Sequence, residues 1–151
     1  MYDREGELDL GVALAKGFEG FSSVIYYCPS NHPTLGYGRN LDVYPLDDHE
    51  SEEVTEAEAE VWLRGKIADC RFDLAIFCPW FVNSPEGVRL VLTDMAYNLG
   101  TKGLMGFRKM LAALKADDFS LAAEELKDSK YFRQTGLRAL YHYNLLKSLT
   151  E

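Results

Sequence analysis

One stretch of the chain is apolar on nearly every side of the helix that it predicts. It opens with Ser84 and Pro85, residue types that favour an N-cap and the first helical position. The apolar residues that follow are Val88, Leu90, Val91, Leu92, Met95 and Ala96. A helix that is apolar all round is a buried one. The sequence therefore predicts a central helix around which the other elements pack.

Helical spacing of apolar residues recurs along most of the chain. Thr55 and Glu58 form a capping-box pattern, which predicts a long helix from about Glu56 to Ile76. The other predicted helices are a short opening one from about Leu8 to Phe18 and three later ones, Phe107 to Lys115, Leu121 to Lys127 and Gly136 to Leu149. Most of the chain is thus expected to be helical.

The segment from Ser22 to Asn40 has a different character. It combines two prolines and two glycines with β-branched and aromatic residues, a mixture that predicts short strands and turns. We therefore expect an α+β fold, with a small irregular β-sheet lobe at about residues 22–41 and a predominantly helical body at about residues 55–150. With 151 residues, of which 47% are hydrophobic, we expect one domain over residues 1–151.

The charge and hydropathy of the chain exclude several classes of partner. A formal net charge of −8 argues against nucleic acid, because phosphate binding relies on Lys and Arg. No stretch approaches the roughly 20 apolar residues that cross a bilayer, so we expect no stable membrane insertion. The first residues are acidic and lack the basic and apolar regions of a signal peptide, which favours synthesis in a cytoplasm. We expect a monomer.

The cysteines, histidines and acidic residues predict no cofactor. Cys28, Cys70 and Cys78 are an odd number, which implies no disulfide framework, and Cys70 and Cys78 are expected to be buried thiols. The histidines are scattered, so no zinc-type site is expected. The acidic run from Asp47 to Glu53 lacks EF-hand spacing and is expected to be a solvated loop.

Glu19 is the first candidate for chemistry. It lies between Phe18 and the Gly20-Phe21 pair, and partial burial between aromatics raises the pKa of a carboxyl into the range of a general acid. A glutamate at a helix end is more often a solvated surface residue. The interpretation therefore needs further context.

That context is the spacing of the residues that follow Glu19. Eight residues separate Glu19 from Cys28, and five more separate Cys28 from Thr34, which opens the sequence Thr-Leu-Gly-Tyr-Gly. This pattern resembles the catalytic motif of the T4-type phage lysozymes, glycoside hydrolase family 24. In that family a Glu, an Asp or Cys, and a Thr recur at this spacing. The resemblance implies a lysozyme-like fold and Glu19, Cys28 and Thr34 as catalytic residues.

The resemblance extends along nearly the whole chain. The segments that carry it are Thr55-Glu56-Ala57-Glu58-Ala59, Tyr97-Asn98-Leu99-Gly100 with Gly106-Phe107, and Gln134-Thr135-Gly136-Leu137-Arg138-Ala139. By this resemblance Arg138 supports catalysis by pairing with the catalytic glutamate. The implied substrate-binding residues are Tyr37, Gly38, Tyr97, Asn98 and Gln134.

Cys28 stands where the usual family member has Asp. Glycoside hydrolysis needs an acid on the leaving oxygen and a nucleophile on the other face of the sugar. Glu19 supplies the first, and a water held by Thr34 supplies the second in an inverting arrangement. Three roles stay open for Cys28: positioning the water or substrate, acting as an ionised base, or packing in a β-turn.

The resemblance implies a muramidase that hydrolyses the β-1,4 bond between N-acetylmuramic acid and N-acetylglucosamine in peptidoglycan. A lytic transglycosylase acting on the same bond is the first alternative, and a non-catalytic wall-binding module with the lysozyme fold is the second. Biologically we expect a phage endolysin. It would be made in the host cytoplasm and act in the periplasm or cell wall after release through a holin.

Overall fold

The structure, a computed structural model, describes residues 4–150 as a predominantly helical fold with one small sheet. Its elements are α1 (Arg4–Glu19), β1 (Ser22–Tyr27), β2 (Pro33–Gly36), β3 (Arg39–Asn40), α2 (Glu56–Phe77), a 3-10 helix (Pro79–Asn83), α3 (Glu86–Leu99), α4 (Thr101–Leu104), α5 (Arg108–Lys115), α6 (Phe119–Lys127), α7 (Lys130–Thr135) and α8 (Leu137–Ser148). The predicted α+β, lysozyme-like fold class is confirmed. Within residues 4–150 there is no helix whose length and apolar character would let it span a membrane.

The chain divides into two compact units, and the division falls inside α2. The first unit ends at Ala68 and the second begins at Asp69. The predicted helical body at residues 55–150 therefore contributes to both units. A single catalytic domain over residues 1–151 stays a prediction.

The sheet belongs to the first unit and has the antiparallel order β1-β2-β3. Tyr26 pairs with Thr34 across β1 and β2, and Thr34 pairs with Asn40 across β2 and β3. The register of β1 and β2 shifts between Ser22 and Tyr26, which gives the irregular sheet that the sequence predicts. Thr34 thus lies on the middle strand.

A buried arginine anchors the loop that follows the sheet. Arg39 donates from Nη2 to the Glu50 carboxylate at 2.9 Å and from Nε to the Tyr44 carbonyl at 2.9 Å. Its guanidinium lies 4.8 Å from the centre of the Trp62 ring. Hydrogen bonding from Arg39 lowers the pKa of Glu50 to about 2. The acidic loop is exposed, as predicted. The ion pair between Glu50 and Arg39 was not predicted from the sequence.

Helix α3 is buried in the second unit, as predicted. Five apolar side chains of this helix are fully buried: Val88, Val91, Leu92, Met95 and Ala96. A leucine-sized side chain contributes about 1.5–3 kcal/mol when it is removed from water. Helix α3 therefore contributes a large share of the apolar core of this unit.

The predicted helix starts are correct in one case and wrong in the other. The capping box forms, because the Thr55 N–H donates to the Glu58 carboxylate at 2.9 Å and the Glu58 N–H donates to the Thr55 hydroxyl at 3.1 Å. Ser84 does not cap α3, since its hydroxyl donates to the Trp80 carbonyl at 3.0 Å instead. Helix α3 begins at Glu86, one residue after Pro85.

The three cysteines are free thiols. Cys70 and Cys78 are buried, as predicted, and burial raises the pKa of the Cys78 thiol. In the part of the chain that the structure describes, no three His, Cys, Asp or Glu side chains are grouped so that they could hold a metal ion.

Candidate active site

The carboxyl group of Glu19 lies against the backbone of Gly38. Glu19 is the last residue of α1 and is partly buried, and Gly38 follows β2 with a φ of 75°. A Cβ atom built on Gly38 would lie 2.5 Å from Cδ and Oε1 of Glu19. Only glycine accepts this φ readily and leaves that space to the carboxyl. The carboxyl group of Glu19 is therefore positioned between the end of α1 and the turn after β2.

We predict that Gly38→Ala lowers activity more than stability. A left-handed conformation costs an L-residue roughly 1–2 kcal/mol, and the new methyl group has to displace the Glu19 carboxyl. A displacement of about 1 Å can cost about 10²-fold in rate. Urea unfolding and the rate of lysis of permeabilised cells measure the two effects.

Gly100→Ala is the matched control, because Gly100 has a φ of 83° and a Cβ atom built on it would meet nothing within 4 Å. It also places an alanine at a positive φ, but without the contact to Glu19. Equal activity losses in the two variants, at equal losses of stability, would contradict the assigned role of Gly38.

Cys28 and Thr34 meet at the tight connection between β1 and β2. The Cys28 N–H donates to the His32 carbonyl at 3.0 Å, and the Asn31 N–H donates to the Cys28 carbonyl at 2.7 Å. Thr34 is buried, and its hydroxyl donates to the same His32 carbonyl at 2.9 Å. The turn thus fixes the thiol of Cys28 beside the hydroxyl of Thr34.

The turn also favours the ionised form of Cys28. Hydrogen bonding from the His32 backbone is the largest effect, and the Ser30 backbone and the Thr34 hydroxyl add to it. Together they outweigh desolvation and lower the pKa of the Cys28 thiol. A hydroxyl has only one proton, so Thr34 has to turn from the His32 carbonyl to the sulfur when the thiol ionises.

The phenol of Tyr26 lies within electrostatic range of both Glu19 and Cys28. Burial raises the pKa of Tyr26, and the negative charges of Glu19 and Cys28 raise it further. Both groups therefore act on the same phenol from within the first unit. Tyr26 was not predicted from the sequence; the signal that could have found it is its position opposite Thr34 in a β1–β2 hairpin.

His32 does not present its ring to Cys28. Its Nδ1 lies 2.9 Å from Oδ2 of Asp42, while its backbone faces Cys28 and Thr34. No imidazole base therefore supports the thiol from this turn. The backbone of the turn does so instead.

Tyr37 packs inside the first unit. Its side chain is buried, its ring centre lies 5.4 Å from that of Phe21, and Lys16 Nζ lies 5.3 Å from the ring centre. A role of Tyr37 and Gly38 in contacting substrate stays a prediction. The observed packing gives Tyr37 a part in holding the Gly38 turn.

Four of the predicted site residues lie in the second unit. Arg138 and Tyr97 are buried, whereas Asn98 and Gln134 are exposed. Asn98 lies in the last turn of α3 and Gln134 in α7. Their predicted roles in substrate binding stay predictions.

Arg138 forms a buried ion pair that was not predicted from the sequence. Its Nε and Nη2 donate to the two carboxylate oxygens of Asp94, at 2.7 and 2.8 Å. His142 Nε2 lies 2.7 Å from Oδ2 of the same carboxylate. The sequence feature that could have predicted the pair is Asp94, an acidic residue in the middle of a largely apolar helix. A buried carboxylate needs a partner of opposite charge. The predicted pairing of Arg138 with Glu19 stays a prediction.

Comparison with known proteins identifies the family. The sequence model of the phage lysozyme family matches residues 16–142, a range that contains Glu19, Cys28, Thr34 and Arg138. The chain belongs to the phage lysozyme family. This membership confirms the predicted resemblance to the T4-type phage lysozymes.

One curated relative is a central spike protein of a phage. The chain is 24% identical over 141 residues to the pre-baseplate central spike protein Gp5 of Enterobacteria phage T4. The match covers 80% of this chain but only 24% of Gp5. The chain thus spans about a quarter of the length of this relative.

Proposed function

We propose that this member of the phage lysozyme family is a muramidase that hydrolyses the β-1,4 bond between N-acetylmuramic acid and N-acetylglucosamine. The observation that carries the proposal is the packing of the Glu19 carboxyl against Gly38, at the end of the segment that Thr34 opens. Cys28 lies beside Thr34 at the turn that precedes this segment. Inverting glycoside hydrolysis requires a general acid on the leaving oxygen and a base that activates a water molecule on the opposite face of the sugar.

In the proposed reaction Glu19 protonates the glycosidic oxygen as the bond from that oxygen to the anomeric carbon breaks. A water molecule held by Thr34 attacks the anomeric carbon from the opposite face. The water gives a proton to the Cys28 thiolate, which later returns it through solvent to Glu19. A single displacement of this kind inverts the anomeric configuration.

We assign the base role to Cys28 because the backbone of its turn favours the thiolate. The cause is hydrogen bonding from His32 first, then from Ser30 and Thr34, and it lowers the pKa of Cys28. An ionised sulfur accepts a proton from water, whereas a neutral thiol does not. Among the three roles left open by the sequence, the lowered pKa favours this one.

Variants of Cys28 test that assignment. Cys28→Ser should lose about 10²-fold in rate, because a hydroxyl does not ionise near neutral pH. Cys28→Asp should stay active, because its carboxylate supplies a base and is the residue of the commoner family members. A folded Cys28→Ser protein with near wild-type activity would show that the sulfur only occupies space beside the water.

Alkylation of the thiol tests the pKa itself. Since the folded-state pKa of Cys28 is lowered, the rate of iodoacetamide labelling at Cys28 should reach half its maximum below the ordinary thiol value of about 8.5. Labelling of the urea-unfolded chain, read at the Cys28 peptide by mass spectrometry, provides the reference. Equal midpoints in the two states would contradict the proposed stabilisation of the thiolate.

The remaining predicted residues complete the proposal. Arg138 orients the Glu19 carboxyl as a support residue that transfers no proton itself. Tyr37, Gly38, Tyr97, Asn98 and Gln134 contact the glycan strand, by resemblance to the family. The net charge of −8 fits an uncharged sugar backbone better than a polyanion as the direct binding partner.

For the biological role we propose a phage endolysin that reaches the periplasm or cell wall from the host cytoplasm through a holin. The similarity to the T4 spike protein Gp5 favours a second candidate, a lysozyme that forms part of a phage particle. Co-expression with a holin in a Gram-negative host separates the two. Lysis that requires the holin supports the endolysin, and its absence with an active enzyme supports the particle-bound role.

A turbidity assay tests the proposed activity directly. Purified protein is added to permeabilised Gram-negative cells, and the optical density should fall with the wild-type protein. A folded wild-type protein that clears neither these cells nor purified cell walls would overturn the proposal in favour of a non-catalytic wall-binding module.

A further inference from the structure

A buried polar cluster that includes Arg138 lies in the second unit. It consists of Asp94 on α3, Arg138 and His142 on α8, and Tyr131 on α7. Asp94 is 1% exposed and His142 is 0% exposed. The mechanism proposed above uses Arg138 and gives the other three side chains no part.

The pair of Asp94 and Arg138 has the geometry that fixes a guanidinium group most firmly. Two nearly parallel hydrogen bonds, of 2.7 and 2.8 Å, join Nε and Nη2 of Arg138 to the two oxygens of Asp94. Bidentate pairs of this kind set both the position and the plane of the guanidinium. Asp94 therefore determines where the remaining part of the Arg138 head group points.

His142 in turn holds the carboxylate. Burial opposes ionisation of Asp94, but the hydrogen bonds from Arg138 and His142 outweigh it and lower the pKa of Asp94. An ionised carboxylate only accepts, so His142 Nε2, at 2.7 Å, is the protonated nitrogen and donates. Tyr131 stacks on the imidazole with an interplanar angle of 5° and a centroid distance of 6.1 Å.

Burying charged side chains in a protein interior carries a large desolvation penalty. Well-packed apolar side chains of similar volume stabilise a fold as well as a buried ion pair does, or better. These residues do, however, fix the orientation of the Arg138 guanidinium. That second property is the one that a hydrolase with a supporting arginine can use.

We propose that Asp94 and His142 are positioning residues of the lysozyme reaction, because together they fix the guanidinium of Arg138 through the bidentate pair and the hydrogen bond to Asp94. The inference rests on the proposed function, in which Arg138 supports Glu19. It adds two residues that act on the reaction only through Arg138.

Two amide variants of His142 provide a matched test. The Gln side chain reaches far enough to place its Nε2 near the position of the His142 Nε2 and donate to Asp94, whereas the shorter Asn side chain does not. His142→Asn should therefore lower kcat about tenfold with little change in KM, and His142→Gln should recover most of that loss. Initial rates of reducing-end release from soluble peptidoglycan strands give both constants.

The same variants are then made in an Arg138→Ala background. Residues that act through Arg138 have nothing left to position there, so His142→Asn should cause no further loss of kcat. Tyr143→Phe is the control on the same helix, since it removes only the hydrogen bond from Tyr143 to Glu124 and should leave kcat unchanged.

Three results would overturn the positioning role. They are wild-type kcat in a folded His142→Asn protein, an equal loss in the Gln and Asn variants, and a full loss from His142→Asn in the Arg138→Ala background. If His142→Asn does not fold, His142→Leu replaces it in the same comparison. An inactive wild-type protein, or an active Glu19→Gln protein, would instead mean that the proposed function has failed.

Discussion

Glu19→Gln should abolish lysis of permeabilised cells while the protein stays folded. The amide is almost the same size as the carboxyl and fits the same space beside Gly38. It has no acidic proton for the leaving oxygen, and general acid catalysis is commonly worth about 10²–10⁴-fold in rate. The loss should appear in kcat, measured by the release of reducing ends from peptidoglycan strands.

Glu60→Gln is the control for that experiment. It makes the same chemical change at an exposed glutamate of the first unit, whose carboxylate pairs with Lys16. Exposed pairs of this kind stabilise a fold by less than about 1 kcal/mol, so both stability and activity should stay close to wild type. Near wild-type clearing by a folded Glu19→Gln protein would remove Glu19 from the acid role.

Asp94→Ala should give the largest loss of stability of any variant considered. It leaves the Arg138 guanidinium buried without its counter-ion and leaves His142 without its acceptor. Breaking one partner out of a buried ion pair costs about 3–5 kcal/mol. Urea unfolding at neutral pH measures the difference from wild type.

Acidification should shrink that difference. The folded-state pKa of Asp94 is lowered, so its ionisation contributes stability above the unfolded-state pKa of about 3.9. That contribution is lost as the pH falls through the lower folded-state value. Glu124→Ala is the control, because the exposed Glu124–Lys147 pair of 3.6 Å should contribute less than about 1 kcal/mol. A loss below about 1 kcal/mol for Asp94→Ala at neutral pH would contradict the assigned role of the pair.

Periodicity predicts the long helices and fails for the short ones. Helix α2 ends at Phe77, one residue beyond the predicted end, and the burial of α3 follows from its apolar run. Helices α4 and α7 have four and six residues, and the 3-10 helix has five. Segments of one or two turns show no repeated apolar spacing, and their formation depends on local bonds such as the Ser129 cap of α7.

Competition between hydrogen bonds explains the wrong start of α3. Ser84 has the residue type of an N-cap, but the preceding 3-10 helix offers the Trp80 carbonyl as an acceptor. Serine side chains bond to whichever backbone group lies nearest. The residue type alone does not reveal that choice, because the 3-10 helix was itself not predicted.

The parts of the candidate site that lie close together in the sequence could be predicted, and the parts that lie far apart could not. Glu19, Cys28 and Thr34 follow from a spacing within one short segment. Asp94 and Arg138 are 44 residues apart in the sequence, so their pairing depends on how α3 and α8 pack. The largest cause of the lowered pKa of Cys28 is hydrogen bonding from the backbone of His32. The identity of the side chains does not reveal such a backbone contribution.

Mass spectrometry of the muropeptides released from purified Gram-negative cell walls tests the proposed bond cleavage most directly. The wild-type protein should release fragments that end in a reducible N-acetylmuramic acid, and the Glu19→Gln protein should release none. Fragments ending in 1,6-anhydro-muramic acid, lighter by one water, would identify a lytic transglycosylase. Reducing N-acetylglucosamine ends, or uncut glycan strands, would contradict the proposed muramidase.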